Sequence, residues 1–203
     1  MLALLLPSRC PVCRRTVPPR VGPCEDCAEA VPPPPALAPP AGVDACFSVC
    51  AYDGAGLALV AALKFRGERG VARWAAAKLA PAVLNVGLDV VTWVPTSDRR
   101  RRRRGVDQAE LLARALGRVT AVPVRSLLDR HPGPPQEGRS AAQRRAGPRF
   151  DCAAAPARVV VVDDVVTTGA SVRAAADAIR AAGAERVVVA ALARTPPGRH
   201  TRW

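Results

Sequence analysis

The apolar positions of this chain fall into short continuous runs separated by helical periodicity. Val159, Val160, Val161 and Val162 follow one another, and after two aspartates Val165 and Val166 resume the run before Thr167-Thr168-Gly169-Ala170-Ser171. β-Branched residues without polar alternation suit a strand covered on both faces of a parallel sheet. An alanine-rich stretch with helical spacing then runs through Ala182 to Gly183, which can terminate it. Val187 to Leu192 is the next apolar run, so strand, helix and strand form a βαβ unit with right-handed crossover. Upstream, Phe47–Tyr52 reads as a strand, Gly54 and Gly56 as a turn, and Leu57–Phe65 as a helix. A further helix is expected around Val71–Leu84, a buried strand at Val90–Val94 before Pro95-Thr96-Ser97, and an amphipathic helix at Asp107–Leu116. From Asp129 to Phe150 the residues are rich in Gly, Pro, Gln and Arg without apolar period, which predicts a mobile functional loop. The alternation as a whole predicts an α/β fold with a parallel sheet flanked by helices.

Candidate chemistry collects at the end of the valine strand. Asp163 and Asp164 are expected at its carboxyl end, where open α/β sheets bind ligands. The turn Thr167 to Ser171 feeds a helix N-terminus, so free N–H groups, hydroxyls and the helix dipole converge there as a monophosphate site. Gly169 lets the backbone approach a ligand closely. Two adjacent carboxylates repel unless a ribose diol or a hydrated Mg2+ shares their charge. Monophosphate and diol together describe ribose 5-phosphate.

The chain of 203 residues has room for one α/β domain plus a small appendage, and at 49% hydrophobic but 3% aromatic its core must be built from Ala, Val and Leu. No apolar run approaches the roughly 20 residues that span a bilayer. Leu2 to Leu6 is too short for a signal segment and lacks a basic stretch before it; it is expected to pack on the body, and the protein is expected to be cytoplasmic without membrane insertion. The net charge of +13 comes almost wholly from arginine, since Lys64 and Lys78 are the lysines. It favours polyanionic ligands, pyrophosphate or nucleic acid, and a compositional bias toward Arg is the alternative source.

Cysteine spacing adds a metal. Cys10-x2-Cys13 and Cys24-x2-Cys27 are two knuckles ten residues apart, the spacing of a tetrahedral S4 site for structural Zn2+. Four thiolates leave no open position, so catalytic zinc is not expected. Cys46, Cys50 and Cys152 are read as buried apolar thiols. Val31 to Gly42, with its PPPP and PP, is a semi-rigid linker. Residues 1–42 are therefore expected to form the cysteine module and linker, and residues 43–203 the α/β domain.

The thirteen residues from Val159 to Ser171 resemble the PRPP-binding signature of type I phosphoribosyltransferases: an apolar strand, two acidic residues and a T-T/S-G-x-T/S turn. With the double CxxC, Tyr52-x-Gly54, Lys64-Phe65 and the stretch Val94 to Ala113, the whole chain resembles the ComF family. These are zinc-bearing phosphoribosyltransferase-like proteins associated with natural competence. The resemblance implies that Asp163 and Asp164 hold ribose hydroxyls and that Thr167, Thr168, Gly169, Ala170 and Ser171 hold the 5-phosphate. Arg100 and Arg104, with Mg2+, would hold pyrophosphate, and Lys64 would reach a phosphate or the sheet edge. Gly105 and Gln108 match the pattern after the arginines, and Gln136, Arg144 and Phe150 resemble the loop before the signature strand. Val106 stands where the family has an aromatic residue, Asp107 where it has Asn, and Gly147 near another Asn, which leaves the acceptor side open.

The run Arg99 to Arg104 has three readings: a pyrophosphate loop using one or two guanidinium groups, a nucleic-acid surface using most of them, and a solvated loop. No aromatic residues interleave with it, which weakens base stacking, and Trp93 is expected to pack inside the sheet. Two functions follow. One is PRPP binding with phosphoribosyl transfer to an acceptor that no residue identifies, since none stands out as its base. The other is a non-catalytic competence factor that contacts single-stranded DNA or a DNA-uptake helicase and keeps the pocket as a sensor or relic.

Overall fold

The computed structural model describes residues 8–18, 22–97, 102, 105–131 and 148–196. Its central sheet joins β3 (Ala45–Ala51), β4 (Val90–Trp93), β7 (Arg158–Val166) and β8 (Arg186–Arg194) in the order β3-β8-β7-β4, every pair parallel. The valine runs explain why β7 and β8 lie in the middle. Val160, Val162, Val188, Ala190 and Leu192 face one layer, while Val159, Val161, Val187, Val189 and Ala191 face the other. The first layer is α2 (Gly54–Phe65), α3 (Arg69–Leu84) and α4 (Gln108–Thr120). The second is α5 (Ala170–Ala181), through Val172, Ala175, Ala176 and Ile179. Each fully buried valine contributes on the order of 1.5–3 kcal/mol, so a polar residue in either run would lose contacts on a closed face.

The crossovers place a crevice. After β4 the chain leaves through α4 to Val124, which bridges Val91 on the far side of β4. After β7 it leaves through α5 to β8 on the opposite side. The two connections diverge between β4 and β7, and a ligand crevice opens at such a switch point beyond the strand ends. β4 pairs with β7 only as far as Trp93 opposite Val162, so from Asp163 onward β7 is paired on its β8 side alone.

The N-terminal segment holds β1 (Ser8–Arg9) paired with β2 (Thr16–Val17), then α1 (Glu25–Glu29). It docks on the α2–α3 junction: Arg14 Nη1 lies 2.6 Å from Glu68, Arg66 Nη2 donates to the Pro11 carbonyl at 2.5 Å, and a Cβ on Gly22 would overlap the Trp74 side chain. Of residues 31–42, expected as a linker, 32–42 lie as a strap along the carboxyl edge of the sheet, with the Ala51 N–H donating to the Pro32 carbonyl at 3.0 Å.

Several boundaries differ from the sequence expectation. Gly54 and Gly56 lie inside α2, which Asp53 caps by accepting from the Gly54 N–H at 2.9 Å. Gly56 is there for close approach, since a Cβ would sit 2.1 Å from the Ala51 carbonyl oxygen. β7 runs to Val166, so Asp163 and Asp164 lie toward the carboxyl end of the strand as expected, with pairing to β8 continuing two residues beyond them to Val166 opposite Arg194. α4 continues past Leu116 to Thr120. The stretch expected to be unstructured from Asp129 begins and ends in a small antiparallel ladder, β5 (Asp129–Arg130) with β6 (Phe150–Asp151). Cys50 is buried as expected, and its thiol donates to the Leu192 carbonyl at 3.3 Å. Cys46 and Cys152 are only partly buried, because one lies on the edge strand β3 and the other follows β6. No helix among the described residues is long and apolar enough to cross a membrane.

Candidate functional site

The crevice at the switch point is a cavity of 390 Å3 lined by Lys64, Thr96, Asp107, Arg130, Asp163, Asp164, Thr167 and Ser171, among others. Six elements supply these residues. Lys64 lies in the last turn of α2, Thr96 follows β4, Asp107 precedes α4, Arg130 lies in β5, Asp163 and Asp164 come from β7, and Ser171 lies in the first turn of α5. Lys64 Nζ lies 3.2 Å from Asp164 Oδ1, so the lysine reaches one of the two carboxylates across the cavity.

The carboxylates differ in environment. Burial, and then the neighbouring Asp164 charge, push Asp163 up to about 8, although the Asp164 N–H donates to its Oδ1 at 2.8 Å. Asp163 therefore holds a proton over part of the neutral range until a cation or a donor shares its charge. Asp107 is 4% exposed, and burial raises its carboxyl despite hydrogen bonds from three backbone N–H groups. Its Oδ2 accepts from Thr96 at 2.8 Å and its Oδ1 accepts from Ala109 and Glu110 at the start of α4. One side chain thus caps the helix and fixes the loop leaving β4. Tyr52 is buried beside Asp164; burial and that carboxylate push its phenol up to about 12.

The turn after β7 is built as a small concavity of 30 Å3 bounded by Asp163 and residues 165–172. Gly169 takes the left-handed conformation at φ +76° as N-cap of α5. The Arg173 N–H makes the first helical bond, to the Gly169 carbonyl at 2.9 Å, so the amides of the preceding residues lack helical partners. Thr167 and Thr168 are exposed and Ser171 is half-buried, which puts their hydroxyls beside those amides. The geometry is that of an anion cradle at a helix N-terminus.

Sequence reasoning named Lys64, Asp163, Asp164 and the residues from Thr167 to Ser171, and the structure brings them to this crevice. Arg100 and Arg104 lie outside the described residues, as do Gln136, Arg144, Gly147, Leu2 to Leu6 and most of the arginine run; Arg102 is exposed. Arg130 was not singled out. Its Nη1 donates to the Pro95 carbonyl at 3.1 Å and its guanidinium lies 5.7 Å from the Phe150 ring centre, which fixes a cation on the cavity wall. No local pattern marks it, because it sits in a stretch without periodicity. Phe65 is 59% exposed at the mouth of this cavity and of a second one of 430 Å3, which Leu63, Gly67, Val106, Gln108 and Leu111 complete. Trp93 packs inside as expected, with Arg114 over its ring at 5.9 Å.

The cysteine cluster stands apart from the crevice. The sulfurs of Cys10, Cys13, Cys24 and Cys27 all lie within 4.8 Å of one another, and Cys13 and Cys24 are 3.8 Å apart. Bonds of about 2.3 Å to a tetrahedral zinc ion require sulfur separations near 3.8 Å, so the residues fit such an ion. Arg15 hydrogen-bonds Cys13 and holds its thiol down at about 6, while its guanidinium also pairs with Asp26.

Residues 102–202 match the family model described as "Phosphoribosyl transferase domain". The chain carries a phosphoribosyl transferase domain. An orotate phosphoribosyltransferase of a Nocardioides species is 57% identical over 44 residues, 21% of this chain and 25% of that protein. The chain thus spans about a quarter of the length of this curated relative. Among solved structures, a purine phosphoribosyltransferase from Pyrococcus horikoshii has 14% identity and a TM-score of 0.40 over 63% of this chain and 89% of its own. TT1426 from Thermus thermophilus has 22% identity and a TM-score of 0.41 over 64% and 86%. The matched part of the phosphoribosyl transferase domain contains Asp107, Arg130, β7 and the α5 turn, whereas Lys64, Phe65 and Thr96 precede it.

Proposed function

We propose that this crevice binds PRPP, or a related ribose 5-phosphate ester, with Mg2+, and transfers the phosphoribosyl group to an acceptor. One observation carries the reading: a carboxylate pair and an anion-binding turn meet on consecutive parts of one strand and helix, where the sheet splits. Asp163 and Asp164 accept hydrogen bonds from the ribose diol, and Lys64 offsets their charge. The amides and hydroxyls from Thr167 to Ser171 hold the 5-phosphate. Arg130 on the cavity wall is the described cation for the diphosphate, and Arg100 and Arg104 are assigned to the same group from the sequence resemblance. Mg2+ would neutralise diphosphate charge as the leaving group departs. The site then acts by positioning and electrostatics, without a protein nucleophile. The bond from the anomeric carbon to diphosphate breaks, the bond to the acceptor forms, and the acceptor's proton passes to diphosphate or solvent. The acceptor enters through the second cavity, against the exposed Phe65 ring, where Val106 leaves room. Zn2+ in the cysteine cluster is structural, and the ComF-like resemblance extends the reading to a role in DNA uptake.

Titration calorimetry with PRPP and Mg2+ tests the binding. Wild type should release heat with a micromolar-range affinity, about 8 kcal/mol of binding free energy, and Asp163→Ala with Asp164→Ala should abolish it. A double variant that binds as well as wild type defeats the proposal.

The net charge of +13 favours a second reading, in which the protein binds single-stranded DNA nonspecifically. Affinity should then fall steeply with salt, and replacing Arg99 to Arg104 with Gln should flatten that slope by roughly one unit per lost phosphate contact. A binding constant indifferent to salt counts against it.

A further inference from the structure

We propose that the proline-rich strap is a positioning element of the phosphate turn, locked by Arg194 and bearing on Gly169 through Pro40. Arg194 ends β8 in register with Val166, the residue just before the Thr167 turn. It is 7% exposed, and its guanidinium bonds to the main chain of the strap: Nη1 donates to the Leu37 carbonyl at 3.0 Å and Nη2 to the Ala38 carbonyl at 2.5 Å. A buried guanidinium that donates to two consecutive loop carbonyls ties that loop to the end of β8, although Leu37 and Ala38 are themselves exposed. The strap is fastened on both sides of this lock. Pro32 accepts from the Ala51 N–H, the Val43 N–H donates to Pro40 at 3.1 Å, and Arg180 of α5 donates to Gly42 at 3.1 Å while pairing with Asp44 at 2.6 Å.

Pro40 lies against the turn itself. A Cβ on Gly169 would fall 3.0 Å from both Cβ and Cγ of Pro40, so the proline ring covers the Gly169 Cα. The N-cap Gly169 offers α5 no side-chain acceptor, and the bond from the Ala170 N–H to Thr168 Oγ1 is long at 3.4 Å. The wall supplied by Pro40 therefore adds restraint to a weakly capped turn, and the fixed φ of the surrounding prolines keeps that wall from moving. Ordering the turn before the ligand arrives reduces the entropy lost on binding.

The choice of ribose 5-phosphate as probe rests on the phosphosugar reading; the packing of Pro40 on Gly169 does not. The test measures amide hydrogen exchange by NMR, and ribose 5-phosphate affinity, on the full chain as wild type, Pro40→Gly, Arg194→Gln and Arg194→Lys. Pro40→Gly and Arg194→Gln should speed exchange at Gly169, Ala170 and Ser171 and weaken ribose 5-phosphate roughly five- to tenfold, while exchange at Val160 and Val188 stays as in wild type. Arg194→Lys should recover part of both effects. Unchanged exchange at the turn overturns the proposal, and so does acceleration that is equal at Gly169 and Val160, which would make the contact merely structural. If wild type shows no affinity for ribose 5-phosphate but the turn alone loosens in the variants, the strap's role stands and the phosphosugar reading falls.

Discussion

At the scale of single residues, Asp163 converts its position into a pH dependence. Its folded-state carboxyl is raised to about 8, chiefly by burial and then by Asp164, whereas an unfolded Asp ionises near 3.9. Between these values the folded state binds a proton that the unfolded state has released, so stability falls as pH rises from about 4 to about 8. Ligand binding runs the other way, since a diol or Mg2+ needs the ionised carboxylate. Affinity for PRPP with Mg2+ should therefore rise through pH 8, and Asp163→Asn should flatten both profiles; calorimetry and denaturant melts across pH 5–9 read the two slopes. An affinity that falls over this range contradicts the assignment. Asp163, Asp164 and the Thr167 turn could be read in the sequence because their chemistry is contiguous. Asp107 was visible there only as a substitution; its caging of Thr96 depends on two segments that meet in the fold.

At the scale of elements, the continuous valine runs made β7 and β8 legible, since a strand covered on both faces has no polar alternation to mislead. α2 began earlier than expected because Gly54 and Gly56, read as a turn, serve instead as the capped first turn and a close contact with Ala51. The linker was recognisable by its prolines, but its attachment to Arg194 was not, because the partners are more than 150 residues apart in the chain. The cysteine module was read from spacing alone, and the four sulfurs converge accordingly. With so little apolar content of its own, the module would draw on the order of 10 kcal/mol of folding free energy from a zinc ion held by the four sulfurs. Metal analysis of mildly purified protein should give one zinc per chain, and Cys10→Ser with Cys24→Ser should lose it and expose residues 8–31 to proteolysis. Less than about half a zinc per wild-type chain contradicts a structural S4 site.

At the scale of the whole molecule, the order β3-β8-β7-β4 decides where ligands go, because the connections after β4 and β7 part in opposite directions. Neither the order of the strands nor the cavity beside Phe65 follows from periodicity, which records burial and not neighbours. The fold class was nonetheless legible from the alternation of strands and helices, and the matched family over residues 102–202 agrees with it. The central claim is that a sugar phosphate seats in the turn between β7 and α5. A 1H–15N NMR titration with ribose 5-phosphate tests it most directly: the account predicts saturable shifts concentrated at Asp164 and Thr167 to Ser171, and shifts confined to other surfaces, or none at millimolar ligand, would contradict it.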